Sequence, residues 1–132
     1  MTTIEESDRA GGEYADWMRN TKQQPRPGSL GFMEILEEVK KLHIAKSQDY
    51  GDDADALANI RSGAEIVGIS PWKACLIRLA DKMTRLRTVC RTGECQFDGV
   101  EDTLLDMCAY AAIALNLYRE EQNGKQRAAD SR

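Results

Sequence analysis

The sequence has few aromatic residues, a single histidine and no long apolar stretch. Aromatic side chains make up 6% of the 132 residues, and proline occurs three times. A membrane span needs roughly 18–20 consecutive apolar residues, and no segment approaches that length. The N-terminus is acidic and has no apolar core, which a secretory signal requires. We therefore expect a cytoplasmic protein with no membrane partner.

The sequence also lacks an excess of positive charge. Its 22 acidic residues outnumber its 18 lysines and arginines, for a formal net charge of −4. Proteins that bind nucleic acids usually present a strongly basic face. We expect no nucleic-acid partner.

The four cysteines do not form a recognisable zinc motif. Cys90 and Cys95 are separated by four residues, without the tight pairing of a zinc knuckle, and His43 is far away in the sequence. We expect ordinary reduced thiols. Cys75 and Cys108 lie within apolar helical patterns, where cysteine behaves as a small core residue.

Hydrophobic periodicity predicts four helices and no strand. The segments that follow a helical period are 32–47, 54–67, 71–89 and 99–118. Gly51 should stop the first helix, Ser70 should cap the third ahead of Pro71, and residues 98–101 resemble a capping box. The fourth segment is apolar on nearly every face, so we expect it to be the central helix.

These helices predict an all-α bundle of four to five helices, whose apolar stripes exceed what four short helices bury alone. The predicted domain covers residues 29–119. Residues 1–28 are polar and rich in glycine and proline, and they form either a flexible arm or a segment that docks on a partner subunit. Residues 120–132 are predicted to be a disordered tail.

Asp106 is the most informative residue, because it interrupts the apolar fourth helix. A buried carboxylate must be paired with a cation, protonated or bound to a metal. Asp102 lies one turn earlier on the same face, and Glu101 is adjacent to it. Two carboxylates four residues apart repel each other unless a cation lies between them.

The third helix carries a complementary charged stripe of Arg78, Asp81, Lys82 and Arg85. If the third and fourth helices are antiparallel neighbours, Asp81 approaches the carboxylates of the fourth. Oxygen ligands without histidine or cysteine favour Mg²⁺, with Mn²⁺ as a substitute. A structural network of ion pairs between the two helices explains the same residues without any metal.

The end of the first helix offers a second group of candidate residues. There Lys46 is a candidate phosphate contact, Tyr50 a stacking platform for a base, and Asp49 a ligand for metal or ribose. Asn59 is a candidate for reading the base. The alternatives are a simple helix end with a turn, and an ordinary surface amide. We interpret His43 as a residue of the helix surface and not as a catalytic base.

Taken in order, four segments resemble a phage and bacterial family. They are KSQDYG (46–51), ALANIRSGAE (56–65), RLADKMTRL (78–86) and VEDTLLDMCAYAAIAL (100–115). The sequence resembles the small helical "nucleotide modification associated" proteins, which are similar in turn to the all-α NTP pyrophosphohydrolases of the MazG and dimeric dUTPase group. The resemblance covers roughly residues 32–118. It implies that the bundle is completed by oligomerisation, as a homodimer or homotetramer.

The resemblance implies a Mg²⁺-dependent enzyme that cleaves a nucleoside triphosphate into a monophosphate and pyrophosphate, in the bacterial host cytoplasm if a phage encodes it. Asp81, Asp102 and Asp106 would hold the metal, and Glu101 or Glu38 would complete its shell or orient water. Lys46, Lys82 and Arg85 would neutralise the phosphates, beside Arg78. The sequence departs from the group's two E-x-x-E/D motifs, because its third helix supplies only Asp81.

Two other hypotheses remain open at this point. One is a nucleotide-binding accessory protein without turnover, which the reduced number of acids favours. The other is a purely structural helical oligomer whose polar stripe is a ladder of ion pairs.

Overall fold

The chain folds into α-helices. The computed structural model describes residues 26–50, 55–94 and 99–132, with Tyr50 described by its backbone alone. Over these residues four helices pack together and no strand occurs: α1 (Ser29–Tyr50), α2 (Ala58–Val67), α3 (Pro71–Thr92) and α4 (Val100–Asp130). The all-α prediction is confirmed. The more specific MazG-like assignment stays a prediction.

The chain divides into two compact units, residues 1–34 and 35–132. In the first unit, the Ser29 amide donates a hydrogen bond of 3.0 Å to the Arg26 carbonyl, and Gly28 has a left-handed φ of 97°. Glycine adopts that conformation without steric cost, which allows the chain to turn into α1 at Ser29. The helix thus begins three residues before the predicted start at Phe32. The predicted arm falls mainly on residues 1–25, outside the described residues.

The junction between α2 and α3 follows local sequence signals. Gly68 ends α2 in a left-handed conformation with φ of 71°, and Pro71 is the first residue of α3, as predicted. Ser70 is the N-cap residue of α3, as predicted, but its side chain makes no capping hydrogen bond. Its hydroxyl instead donates a hydrogen bond of 2.7 Å to Glu121 of α4.

Three of the predicted helix ends need correction. The first helix runs to Tyr50, beyond the predicted end at Ser47, and the expected stop at Gly51 lies outside the described residues. The third runs to Thr92 and is ended by Gly93, which has a left-handed φ of 74°. α4 continues to Asp130, where a disordered tail was expected, because residues 119–130 are rich in strong helix formers.

The start of α4 agrees with the prediction to within one residue, whereas that of α2 differs from it. α4 begins at Val100 with no side-chain cap, and Asp98 of the predicted capping box lies outside the described residues. α2 begins at Ala58, four residues after the predicted start. A carboxylate oxygen of Asp55 accepts a hydrogen bond of 3.0 Å from the Leu57 amide just before α2.

Helices α3 and α4 form the closest pair, and α2 packs on α3. The buried cluster comprises Leu57, Cys75 and Leu117, one from the turn before α2, one from α3 and one from α4. Cys75 is a free thiol whose burial raises its pKa, and its predicted core position is confirmed. Cys108 is exposed, so its predicted core position is wrong.

The prediction that the fourth helix is central is also wrong. Thr103 and Leu117 are its only buried residues among those described, and Leu104 and Leu115 are exposed. α4 packs mainly on α3, so much of its apolar surface has no neighbour within the described chain. None of the helices in the described ranges is both long and apolar enough to span a bilayer.

Candidate functional site

All four helices and the turn before α2 surround one cavity in the second unit. On α1, His43 and Lys46 are three residues apart and therefore lie on one face. On α3, Arg78 and Lys82 are one turn apart and line the same space. The cavity measures about 290 Å³, close to the lower end of small-molecule sites, which run from roughly 300 to 1,000 Å³.

α4 contributes a stripe of residues at helical spacing. Asp106, Ala109, Tyr110 and Ile113 follow the i, i+3, i+4, i+7 pattern and all line the cavity. The remaining wall is mostly apolar and includes Leu57, which also belongs to the buried cluster. The core of the bundle therefore supports the cavity wall directly.

The Asp106 carboxylate is held by two lysines from different helices. Its Oδ1 accepts a hydrogen bond of 2.8 Å from Lys46 of α1, and its Oδ2 accepts one of 2.8 Å from Lys82 of α3. The side chains of Asp106 and Lys82 are 16% and 14% exposed, whereas that of Lys46 is 49% exposed. A carboxylate in an apolar helix can be paired with a cation, protonated or bound to a metal, and the structure shows Asp106 paired with cations.

This pairing determines the charge state of Asp106. Burial by itself raises the pKa of the carboxyl, but the hydrogen bonds and charges of Lys46 and Lys82 outweigh it and lower the pKa below the ordinary value. The carboxylate is therefore ionised at neutral pH. Both of its oxygens are occupied by ammonium groups.

The described lining of the cavity nevertheless includes more cationic than acidic side chains. Among these described residues, Lys46, Arg78 and Lys82 are cationic, and Asp106 is the one acid. Arg78 makes no hydrogen bond or ion pair with any residue that the structure describes. A guanidinium with five unused donors beside a cavity favours an anionic ligand.

A smaller cavity of about 190 Å³ adjoins the first. The linings of the two cavities share Asn59, Ile60, Arg78 and Tyr110, so these residues form a shared wall. The smaller one extends along α2 to Gly63.

The structure brings five of the predicted site residues to the larger cavity. They are Lys46, Asn59, Arg78, Lys82 and Asp106. Five others are exposed and do not line it: Glu38, Asp49, Asp81, Glu101 and Asp102. Arg85 is also exposed and outside the lining, and the Tyr50 side chain lies outside the described part of the chain.

The predicted metal ligands do not come together. Asp81 and Asp102 are exposed outside the cavity, while Asp106 is bound by lysines within it. In the ranges that the structure describes, no group of three histidine, cysteine or acidic side chains is arranged to hold a metal ion. The described residues therefore do not fit Mg²⁺ or Mn²⁺, and the cation stays a prediction.

The two lining residues with a ring side chain, Tyr110 and His43, were not among the predicted site residues. Tyr110 lies one turn after Asp106, and this spacing could have indicated that both share a face. His43 lies three residues before Lys46 and is half-buried in the wall. His43 was interpreted as a residue of the helix surface. The sequence did not indicate that this surface borders a cavity.

Comparison with known proteins adds no assignment. No family model, no curated protein and no solved structure matches this chain. The resemblance to nucleotide modification proteins stays a prediction.

Proposed function

We propose that the larger cavity binds the phosphate groups of a nucleoside triphosphate. The observation that carries this proposal is Arg78, an arginine at the cavity wall with no hydrogen-bond or ion-pair partner among the described residues. The planar guanidinium matches a phosphate through two parallel hydrogen bonds, which makes arginine the preferred residue for this contact.

Lys46 and Lys82 support the same proposal. Asp106 holds both ammonium groups at the cavity wall, at 2.8 Å each, so their positions are set before a ligand arrives. Among the described residues of the lining, Arg78 adds a cation that no carboxylate neutralises. This unpaired charge favours an anion over a neutral ligand.

The rest of the wall favours a nucleotide over free phosphate. Tyr110 offers an aromatic ring, Asn59 offers an amide without a partner among the described residues, and Leu57 belongs to an apolar wall. Sites for organic ligands combine such apolar walls with a few polar groups. The resemblance of the sequence to nucleotide-handling proteins supports the same ligand class.

Arg78→Gln should weaken the binding of tripolyphosphate and of nucleoside triphosphates about tenfold, since a lost charge-assisted hydrogen bond at a partly exposed site costs about 1.4 kcal/mol. Arg87→Gln is the matched control, because Arg87 is an exposed arginine of α3 outside both cavities. Nine residues separate the two arginines, which places them on opposite faces of the helix. Isothermal titration calorimetry of both variants measures the difference.

The outcome decides between binding and a purely structural role. Equal affinity in both variants would remove Arg78 from the site. No binding of either ligand to folded wild-type protein would contradict the proposed function and leave the ion pairs of Asp106 as a structural feature.

Hydrolysis to monophosphate and pyrophosphate stays the second candidate. Lys82 and Asp106, which lie in motifs that carry the resemblance, meet in the cavity wall. Because the described acids form no shell for Mg²⁺, we place binding ahead of turnover. Measuring pyrophosphate release with Mg²⁺ or Mn²⁺ in the titrated samples separates the two functions.

A further inference from the structure

The smaller cavity differs in chemistry from the phosphate site. Its wall is formed by small and apolar groups, including Ile60, Ala74 and the buried thiol of Cys75. Apart from Arg78, which it shares with the larger cavity, none of its described lining residues is charged. Only the side bordered by Arg78 suits an anion, whereas a flat, uncharged ring system can replace water at the apolar wall.

Two groups on the shared wall suit such a ring. The Asn59 amide carries both a donor and an acceptor and makes no hydrogen bond with any other described residue. The same combination of donor and acceptor recognises the edge of a base. Tyr110 adds an aromatic ring on which a base can stack, an interaction that tolerates every base because each has a π-face.

The position of Arg78 links this chemistry to the larger cavity. Its side chain borders both spaces, so a phosphate bound to it lies at the boundary between them. A nucleotide joins a charged chain and an uncharged ring through a sugar, and the two cavities present these chemistries side by side. We infer that the smaller cavity, between Asn59, Gly63, Cys75 and Tyr110, is the nucleobase site. This inference rests on the proposed function.

Gly63 allows the two cavities to be tested separately. A Cβ added to this helical glycine would meet no heavy atom within 4 Å, so the first carbon of a larger side chain has room. Gly63 lines the smaller cavity and not the larger one, so a side chain added here begins at the wall of the smaller one. Leucine also has a higher helix propensity than glycine, which favours folding of the variant.

The experiment compares Gly63→Leu with Gly124→Leu. Gly124 is a helical glycine of α4 with equally open surroundings, and it lines neither cavity. Affinities for tripolyphosphate and for the four common nucleoside triphosphates are measured by calorimetry without metal. Gly63→Leu should weaken nucleotide binding about tenfold and leave tripolyphosphate binding unchanged, whereas Gly124→Leu should leave both unchanged.

The possible outcomes separate the inference from the proposed function. If wild-type protein binds neither ligand, the proposed function fails and this inference fails with it. If nucleotides and tripolyphosphate both bind, and Gly63→Leu binds both as wild type does, the base lies elsewhere and only the inference is overturned. Loss of both ligands by a variant that melts like wild type also overturns it, because the two cavities are then not separate subsites.

Discussion

Replacing Asp106 with asparagine is expected to tighten the binding of tripolyphosphate about thirtyfold at low salt. The carboxylate is ionised at neutral pH and repels a bound phosphate, while it attracts Lys46 and Lys82. At an effective dielectric constant of about 20, a unit charge roughly 8 Å away contributes about 2 kcal/mol. Titration calorimetry at low and at physiological salt measures the gain, which screening should reduce.

Asp102→Asn is the matched control for this change. Asp102 lies one turn earlier on α4, carries the same charge, and is exposed outside the cavity. It should alter the affinity much less than Asp106→Asn does. Weaker binding in Asp106→Asn would contradict this expectation and would show that the carboxylate contributes more by positioning the two lysines than it costs by repulsion.

The same variant should change the acid sensitivity of the fold. The pKa of Asp106 is lower in the folded state than its ordinary value near 3.9, so its ion pairs stabilise the fold above that pH. This stabilisation is lost as the pH falls through the folded-state pKa. Thermal melts should therefore show wild-type protein more stable than Asp106→Asn at pH 7, with the difference shrinking below about pH 4.

Leu117→Ala is expected to lower the free energy of unfolding by about 2–4 kcal/mol, the usual cost of emptying a buried leucine site. Leu117 is 3% exposed and packs in the cluster with Leu57 and Cys75. Leu115→Ala is the control, because Leu115 is 48% exposed on the same helix. Its truncation should cost less than about 1 kcal/mol. Urea unfolding of both variants gives the comparison.

The result also bears on the cavity. Leu57, Ile60 and Ile113 belong to the packed cluster or its margin and also line the larger cavity. A strong effect at Leu117 would therefore confirm that the cavity wall rests on a packed core. Equal destabilisation by the two truncations would contradict the packing described for α4.

The sequence predicted those parts of the fold that depend on local signals. Pro71 and Gly68 mark the junction between α2 and α3 because the fixed φ of proline and the left-handed φ of glycine act within one turn. The extent of α4 was underestimated, since residues 119–130 are polar but consist largely of helix formers. Hydrophobic periodicity cannot predict this part of the helix, because these residues form no apolar face.

The sequence predicted several residues of the site but not all of the contacts between them. Lys82 and Asp106 were recognised as facing stripes on two helices, and the structure pairs them. The pair of Lys46 and Asp106, 60 residues apart, depends on how α1 is rotated against α4. Sequence spacing does not define that rotation, and for the same reason it did not show that Asp81 lies outside the cavity.

The two ion pairs of Asp106 also have a mechanical consequence. One carboxylate on α4 accepts hydrogen bonds from α1 and from α3, so it acts as a joint between three helices. A bound polyanion competes with this carboxylate for the same two ammonium groups. Occupancy of the cavity and local detachment of α1 are therefore thermodynamically linked, and the amide protons near Lys46 should exchange at a rate that depends on ligand concentration.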